Sequence, residues 1–368
     1  MNDSLSTRSR IERLAAGLRQ AHLDAFLCTS PVTMGYLQGF FEEGGERLLM
    51  LAVSSRGQVR MICPGLTEAQ ARRCGIEDVR PWLDGDDPWA LFRRLAADWG
   101  FGAGRVAVDN DMAAAHLLAA QAAIPEASFA VGQPVMSDLM RVKSGEELEL
   151  MLRAGKIADD AFSAALGRLR PGLTEQEAAG VLLESMRRLG GTPTFCIAAG
   201  GKNSAEPHHH SDDTVLEEGD VLILDFGCSV SGYQSDITRT VCLGEAGAEA
   251  KALYDVVLRA HQAGRAAIRP GVACQAIDRA ARRVIEDAGF GPFFVHRTGH
   301  GIGMRGHEEP YIVEGNGQLL APGHCFSVEP GVYLPGRFGI RIENCVACTT
   351  EGHLSLNEEP AGRLLELR

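Results

Sequence analysis

Asp225 and Asp236 are two carboxylates whose spacing could bring them together. Asp225 lies in an apolar, strand-forming run, and Asp236 follows eleven residues later. The residues at 229–232 between them form turns readily, so the stretch predicts a β-hairpin. With the turn centred between positions 230 and 231, the two aspartates would be directly opposed, with Cβ atoms about 5 Å apart. Two carboxylates at that distance repel each other, so the hairpin predicts a bound cation.

A second stretch repeats this arrangement. Glu329 and Glu343 are symmetric about Gly336, which with Pro335 gives a strong turn signal. Between the two hairpins, His300 is flanked by two glycines that leave its ring little shielded. An isolated acid at a strand end is more often a turn or cap residue, so the prediction depends on the combination. Four carboxylates and one imidazole suit two Mn²⁺, Co²⁺ or Zn²⁺ ions about 3.5–4 Å apart, which activate a bridging water.

These residues resemble the pita-bread metallopeptidases, most closely their Xaa-Pro branch of aminopeptidase P and prolidase. The ligand pattern of that family is an Asp, a second Asp eleven residues on, a His in Gly-His-Gly, a Glu in Glu-Pro-Gly and a last Glu fourteen residues later. Here it falls on Asp225, Asp236, His300, Glu329 and Glu343, with none substituted. The resemblance covers essentially the whole chain. It implies two divalent metal ions per chain, Mn²⁺ first, with Co²⁺ or Zn²⁺ as alternatives.

The same resemblance assigns roles to further residues. His208 matches a histidine that contacts substrate, and His296 matches another active-site histidine. His307, in the sequence His-Glu-Glu-Pro, matches one that steadies the tetrahedral intermediate. Glu329 would be both a metal ligand and the group that relays a proton to the departing imino nitrogen.

Other polar residues near these positions have more than one interpretation. The residues at 207–210, Pro-His-His-His, could form a solvated loop or a weak surface metal site, and only His208 has support from the family. Arg341 could be a structural counter-ion for Glu343 or could support the site near the scissile proline. Tyr233 and Arg239 flank Asp236 and are interpreted as its supports. Arg337 could bind the terminal carboxylate of a dipeptide or could be a solvated turn residue.

Length and composition predict two domains, with boundaries at 1–138 and 139–368. The first is a smaller α/β domain of the creatinase type, without a nucleotide-binding glycine motif; the resemblance implies that it helps form an oligomer, expected to be a homodimer. Its predicted helices contain 11–18, 91–99 and 113–123, and its predicted strands span 25–28, 48–53, 58–63, 105–108 and 128–131.

The net charge of −12 argues against nucleic acid or an anionic membrane as partner. No run of apolar residues is long enough for a membrane span, and the start has no signal-peptide core, so a cytoplasmic protein is expected. The ten cysteines show no disulfide framework and are predicted to be reduced core residues.

An internal repeat organises the second domain. The sequence Arg-Pro-Gly-Leu at 170–173 recurs as Arg-Pro-Gly-Val at 269–272, an offset of 99 residues. Each copy predicts a helix, a Pro-Gly break, a second helix, a glycine and strand material. Two copies related by a pseudo-two-fold would give a curved antiparallel sheet with helices outside. That is the pita-bread fold, with the ligands on the inner face of the sheet.

The predicted function is hydrolysis of the bond between an amino-terminal residue and proline through a metal-bridging hydroxide, in a dipeptide or a short peptide. A creatinase-like or ectoine-hydrolase-like C–N hydrolase is an alternative within the fold, although creatinases lack the full ligand set. A non-catalytic binding module should have lost ligands and gained a basic face. A dinuclear phosphoesterase would normally use more histidines. The sequence leaves open whether the peptide ends at the proline.

Overall fold

The computed structural model describes residues 3–367, and side chains from residue 7 onward. The chain divides into two compact units, Met1–Met140 and Arg141–Arg368. The boundary predicted after residue 138 lies two residues before this division. Among the described residues, no helix combines the length and apolarity that a membrane crossing needs.

The first unit is a six-stranded sheet with helices. The strand order is β4-β3-β2-β1-β5-β6, antiparallel at β1–β2 and β2–β3 and parallel elsewhere. Its elements are α1 Asp3–Gln20, β1 Ala25–Cys28, α2 Pro31–Gln38, β2 Met50–Ser54, β3 Val59–Pro64, α3 Glu68–Arg73, β4 Val79–Trp82, α4 Pro88–Trp99, β5 Arg105–Val108, α5 Ala114–Ala123, β6 Ser128–Val131 and α6 Gln133–Met140.

The predicted elements of this unit are confirmed, and β1, β5 and β6 have the predicted bounds. Asp87 caps α4, because its carboxylate accepts the Trp89 N–H at 3.0 Å. Four short elements, α2, α3, β4 and α6, have no counterpart in the prediction. Each has eight residues or fewer, too few to show a clear period in the sequence.

The second unit contains four long helices and three sheets. One sheet has the order β18-β10-β8-β7 with β9 paired to β8, another has β12-β11-β13-β16-β17, and β14 pairs with β15. Its elements are α7 Gly145–Leu166, α8 Glu175–Arg188, β7 Thr192–Gly200, β8 Val221–Val230, β9 Tyr233–Gln234, β10 Ile237–Leu243, α9 Ala248–Ala266, α10 Cys274–Asp287, β11 Gly299–Gly301, β12 Glu308–Ile312, β13 Cys325–Val328, β14 Gly331–Leu334, β15 Phe338–Arg341, β16 Asn344–Cys348, β17 His353–Ser355 and β18 Leu365–Leu367.

The internal repeat is present in this unit. Helices α8 and α10 begin 99 residues apart, at Glu175 and Cys274. Gly172 and Gly271, with φ of 90° and 80°, end the preceding turns, and their N–H groups donate to Leu216 O at 2.8 Å and Leu320 O at 2.9 Å. The strands are antiparallel as predicted, except for the parallel pair β10–β18. They form separate sheets, however, rather than one continuous ladder.

Local sequence explains where the helices of the first repeat begin. Both helices begin with a capping box, with the Ser144 hydroxyl accepting the Glu147 N–H and the Thr174 hydroxyl accepting the Glu177 N–H. The two helices then bury small and branched apolar side chains against β8, where Phe226 is fully buried. This packing fixes the outer face of β8, so that its other face is left to carry polar groups.

Candidate metal centre and active site

The β8–β10 hairpin differs from the predicted register. Asp225 pairs with Thr238, not with Asp236, so the prediction that the two aspartates are directly opposed is wrong. The reason lies in the turn, where Ser231 and Gly232 have φ of 50° and 86°. A tight hairpin turn of this hand needs two residues with positive φ, and this pair supplies them one residue later than predicted.

The two aspartates nevertheless face the same side. Position 236 lies between β9 and β10, where the ladder is interrupted. A Cβ on Gly227 would lie 2.1 Å from the Ser235 carbonyl oxygen, so the glycine makes room for the backbone that carries Asp236. Ligand oxygens of Asp225, Asp236 and Glu343 lie within 4.8 Å of one another.

The second hairpin has the predicted register about Gly336, both in β14–β15 and in β13–β16. Glu329 and Glu343 lie between these two ladders, and their backbone N–H groups form hydrogen bonds with other segments of the chain. The Glu329 N–H donates to Thr298 O at 2.8 Å, and the Glu343 N–H donates to Thr238 O at 3.1 Å. The second of these bonds joins the two repeats, and it places Glu343 beside the aspartates.

His300 completes the group from β11. Its Nε2 lies 3.3 Å from Glu329 Oε1 and 3.7 Å from Asp236 Oδ2. Its Nδ1 is 3.1 Å from the Gly301 carbonyl; because a carbonyl only accepts, Nδ1 carries the proton and Nε2 offers a lone pair. A Cβ on Gly299 would lie 1.9 Å from a neighbouring carbonyl. The flanking glycines therefore serve close strand packing.

All five predicted ligands come together, and their chemistry fits divalent cations. Asp225 Oδ1 and Glu343 Oε1 are buried without a hydrogen-bond partner among the described residues. Burial and the neighbouring carboxylates raise the pKa of Asp236 and Glu343 well above the usual range, and burial raises the pKa of Glu329 to about 7. Burial lowers the pKa of His300 to about 3. Cations would compensate these buried acids, and a neutral imidazole can coordinate them.

Arg341 organises the side of the cluster opposite His300. Its guanidinium is 2.5 Å from Asp225 Oδ2 and donates to Tyr333 OH at 2.8 Å and to Thr238 Oγ1 at 3.1 Å. The Thr238 hydroxyl in turn donates to Glu343 Oε2 at 2.7 Å. Arg341 is thus a counter-ion for Asp225, and of the two alternatives left open by the sequence, the ion pair with Glu343 does not form. Among the described residues, hydrogen bonds connect Arg341 to Glu343 through Thr238.

His296 and His307 have fixed tautomers. His296 Nδ1 lies 2.7 Å from the Arg297 carbonyl, so it carries the proton and Nε2 accepts from Tyr333 OH at 2.8 Å. Burial lowers the pKa of His296 to about 4. His307 stacks on His300 with ring centroids 3.7 Å apart. Its Nδ1 accepts from the Arg297 guanidinium at 3.1 Å, which leaves Nε2–H as a donor.

These groups line a cavity of about 460 Å³. His208 also lines it, as predicted for a residue that contacts substrate. The lining residues are Phe195, Ile197, Pro207, His208, Asp225, Asp236, His296, Arg297, His300, Gly306, His307, Glu329, Arg341 and Glu343.

Arg297 was missed in the sequence, although it lies between two predicted histidines. In the described part of the chain no carboxylate forms an ion pair with it; its guanidinium contacts His307 and stacks over Tyr311, 4.5 Å from the ring centroid. Arg337 instead forms an exposed ion pair with Glu249 and is not among the lining residues. Of Arg297 and Arg337, it is therefore Arg297 that lines the cavity.

The supports predicted for Asp236 contact other groups. Arg239 donates to the Glu343 carbonyl at 2.6 Å and to the Glu358 carbonyl at 2.6 Å, so it braces the backbone of a different ligand. Tyr233 donates to Glu147 Oε1 at 2.5 Å, at the start of α7.

Comparison with known proteins agrees with this geometry. The model of Metallopeptidase family M24 matches residues 149–350, and that of the Creatinase/Prolidase N-terminal domain matches residues 10–142. The chain belongs to metallopeptidase family M24. Within this family it falls in the Xaa-Pro branch, and the predicted pita-bread fold with a creatinase-type first domain is confirmed.

Three M24 relatives illustrate the similarity. A protein named probable dipeptidase PepE, from Mycobacterium tuberculosis, is 37% identical over 95% of this chain and 94% of its own length. An Xaa-Pro dipeptidase from Lactobacillus delbrueckii subsp. lactis is 33% identical over 93% of this chain and 95% of its own. The crystal structure of a prolidase from Thermococcus sibiricus has a TM-score of 0.93 at 32% identity, covering 97% of this chain and 98% of its own.

Proposed function

We propose that this M24 peptidase hydrolyses the peptide bond between an amino-terminal residue and proline, with dipeptides as preferred substrates. The observation that carries the proposal is the convergence of four carboxylates and a neutral imidazole in one cavity. The names of the relatives support the Xaa-Pro specificity. The complete ligand set counts against a creatinase-like hydrolase or a non-catalytic module.

Asp225, Asp236, His300, Glu329 and Glu343 would hold two divalent ions, with Mn²⁺ the first candidate. Their ligand atoms form two overlapping groups that share Glu343, one of oxygens alone and one that includes the imidazole nitrogen. Bound at such a site, two metal ions lower the pKa of a bridging water and supply hydroxide near neutral pH.

The protein side chains supply the remaining chemistry. The His307 ring stacks on His300. Its Nε2–H would donate a hydrogen bond to the oxyanion that develops on the scissile carbonyl. Glu329, which the family resemblance makes both ligand and proton relay, would accept a proton from the attacking water and deliver it to the imino nitrogen of proline. Arg341 holds Asp225 and, with Tyr333 and His296, fixes the wall of the cavity.

Arg297 supports the preference for dipeptides. One residue spans about 3.3–3.6 Å of extended chain, so the carboxylate of an Xaa-Pro dipeptide ends close to the scissile carbonyl. Arg297 is hydrogen-bonded to His307 and so lies close to the position proposed for that carbonyl. A guanidinium without an acidic partner binds a carboxylate through charge-assisted hydrogen bonds. A longer peptide would place an uncharged amide there.

The reaction is tested with purified, Mn²⁺-loaded protein on Xaa-Pro and Xaa-Ala dipeptides of the same Xaa. Hydrolysis of Xaa-Pro should exceed that of Xaa-Ala by orders of magnitude in kcat/KM, because a site shaped for a tertiary amide has no partner for the extra N–H. Chelation should abolish hydrolysis, and Mn²⁺ or Co²⁺ should restore it. Full activity in the chelated protein would contradict the metal-dependent mechanism.

The dipeptide preference is tested with Xaa-Pro and its carboxamide, Xaa-Pro-NH₂. Arg297→Gln should lower kcat/KM for the free acid by about 10–100-fold relative to the amide, because a charge-assisted contact is lost. Arg337→Gln is the matched control and should leave the ratio unchanged. An unchanged ratio in Arg297→Gln would remove the argument for dipeptides and leave the peptidase assignment intact.

A further inference from the structure

Three consecutive histidines occupy different environments. His208 is exposed and lines the cavity. His209 is half-buried, with its Nε2 2.6 Å from Glu175 Oε2. His210 is exposed and does not line the cavity. Only the first of the three belongs to the proposed reaction, so the burial of the second needs another explanation.

Glu175, the first residue of α8, is fully buried. Its Oε1 accepts the Gly200 N–H at 2.8 Å and Asn203 Nδ2 at 3.1 Å, and its Oε2 accepts His209 Nε2 and the Asp212 N–H at 3.2 Å. Gly200, Asn203 and Asp212 can only donate in these contacts, so both oxygens of Glu175 accept hydrogen bonds. One buried side chain therefore fixes both ends of the segment 200–212.

Glu175, His209 and Asp212 also have the composition of a metal site. The hydrogen bonds argue against one, because protein N–H groups already surround both oxygens of Glu175. An ion would have to displace His209 from a short contact. The group is better explained as an anchor for the backbone.

The segment has a second anchor on the other side of His208. The Pro207 carbonyl accepts from Arg341 NH1 at 3.2 Å, and the same guanidinium holds Asp225. The His208 ring itself has no hydrogen bond to any residue that the structure describes. Its location thus depends on the backbone, which Arg341 holds one residue before it and Glu175 one residue after it.

We propose that Glu175 and His209 are positioning residues, which hold His208 at the cavity so that it can contact substrate. This inference rests on the proposed Xaa-Pro peptidase activity. Without the contact between His209 and the buried Glu175, the segment 200–212 would lose what fixes the backbone next to His208. The ring of His208 would then sample positions away from the substrate, and a displacement of about 1 Å can reduce a rate about 10²-fold.

The first test compares neighbouring histidines in the Mn²⁺-loaded full chain. His209→Leu should lower kcat/KM for an Xaa-Pro dipeptide by about 10²-fold, with unchanged metal content. His209→Gln, which keeps a donor for Glu175, should restore most of that loss. His210→Leu is the matched control and should behave as the wild type. Equal effects of the two leucine substitutions would overturn the proposal.

A double-mutant cycle with His208→Ala tests whether His209 acts through His208. If it does, adding His209→Leu to His208→Ala should lower kcat/KM no further, whereas independent effects would multiply. Multiplying effects would show that His209 acts independently of His208 and contradict the proposal. A wild-type chain that hydrolyses no Xaa-Pro peptide would instead contradict the proposed function.

Thermal unfolding of each variant separates misplacement from misfolding. Should His209→Leu fail to fold, the same cycle is run with His209→Asn, whose shorter side chain keeps polarity but cannot reach Glu175 in the same way. Coupling to His208→Ala is again the expected result. Its absence in the folded His209→Asn protein would overturn the proposal.

Discussion

Asp236 has the two properties expected of a metal ligand, burial and proximity to other acids. We predict that Asp236→Asn lowers the metal content of the protein and abolishes activity, because the substitution removes one negative charge and one ligand oxygen while preserving shape. Elemental analysis and steady-state kinetics on one Xaa-Pro dipeptide provide the measurement. Retention of two ions with normal affinity would show that Asp236 is not a ligand.

His307 should respond in the opposite way. Its exposed ring stacks on a ligand but offers its Nε2–H to the cavity. His307→Ala should therefore keep its metal ions while kcat falls by about 10²–10³-fold, the scale for one oxyanion donor. The same two measurements apply. Loss of metal in this variant would mean that His307 is itself a ligand, an arrangement that its distance from Asp236 and His300 also permits.

At the scale of residues, hairpin spacing and the family resemblance together identified side chains that converge, although the direct pairing of Asp225 with Asp236 was wrong. All five candidate ligands converge, as do His208, His296, His307 and Arg341. The partners of Arg341 could not be predicted in the same way. Thr238 contacts Arg341 across 103 positions in the chain, and no local pattern encodes a contact that only the packing of two repeats creates.

At the scale of elements, Gly227 is a position in β8 where a side chain does not fit. Gly227→Ala would place a Cβ 2.1 Å from the Ser235 carbonyl oxygen and should push the backbone of Asp236 outward. We expect a loss of about 1–3 kcal/mol in the free energy of unfolding together with reduced metal content. Urea unfolding and elemental analysis measure the two effects.

Gly180 provides the matched control. It lies exposed within α8, and a Cβ there would meet nothing within 4 Å. Gly180→Ala should raise the free energy of unfolding by about 0.4–1 kcal/mol, because alanine restricts the unfolded chain. Similar destabilisation by both substitutions would contradict the role of the Ser235 carbonyl.

The register error in the first hairpin has a specific cause. Sequence identified the turn residues but not which pair of them has positive φ, and a shift of one residue in the turn centre moves the partner of Asp225 from Asp236 to Thr238. The register of the second hairpin was predicted correctly because Pro335-Gly336 leaves one choice for the centre of the turn. The predicted face survived the error because side chains in a strand alternate with a period of two.

At the scale of the whole molecule, the metal-free protein should lose stability as pH rises above about 6.5. Burial lowers the pKa of His296, His300 and His324 to between about 3 and 4. Below pH 6.5 the unfolded chain binds protons on these histidines that the folded chain does not bind, so they favour an increase of stability with pH. Between about pH 4 and 6.5 the raised pKa values of Asp236, Glu329 and Glu343 act in the opposite direction and offset this increase.

Above pH 6.5 the carboxyl groups dominate. Asp236, Glu329 and Glu343 have raised pKa values, about 7 for Glu329, so the folded chain retains protons that the unfolded chain has already released. Their contribution is full below the unfolded pKa and is lost as pH rises through the folded pKa, by up to about 1.4 kcal/mol per pH unit for each group. Urea unfolding of the chelated protein between pH 5 and 9 should show little change below pH 6.5 and a decline above it.

Added Mn²⁺ should remove the decline above pH 6.5, because a bound cation favours the ionised carboxylates. An ion that binds only the folded state also adds about 2.7 kcal/mol at a concentration 100 times its Kd. The comparison is made on the same preparation before and after addition of the metal. An identical decline in stability with and without Mn²⁺ would show that these carboxyl groups do not bind the ion.

The repeated organisation of the second unit was predictable because its two turn sequences occur 99 residues apart. The division into separate sheets could not be predicted. It depends on the positions of Glu329 and Glu343, whose backbone N–H groups bond to other segments of the chain instead of to each other's strands. The homodimer and the cytoplasmic location stay predictions.

The duplicated halves of the second unit have a consequence for how such a site can arise. Asp225 and Asp236 come from the first half, and Glu329 and Glu343 come from the second. Asp225 lies within a ladder, whereas Glu329 and Glu343 lie between two ladders. Two copies of a single half-length chain, associated about the pseudo-two-fold, would bring two pairs of carboxylates to their interface. The exchange of aspartates for glutamates and the addition of His300, which has no counterpart among the ligands of the first half, require the two copies to have diverged.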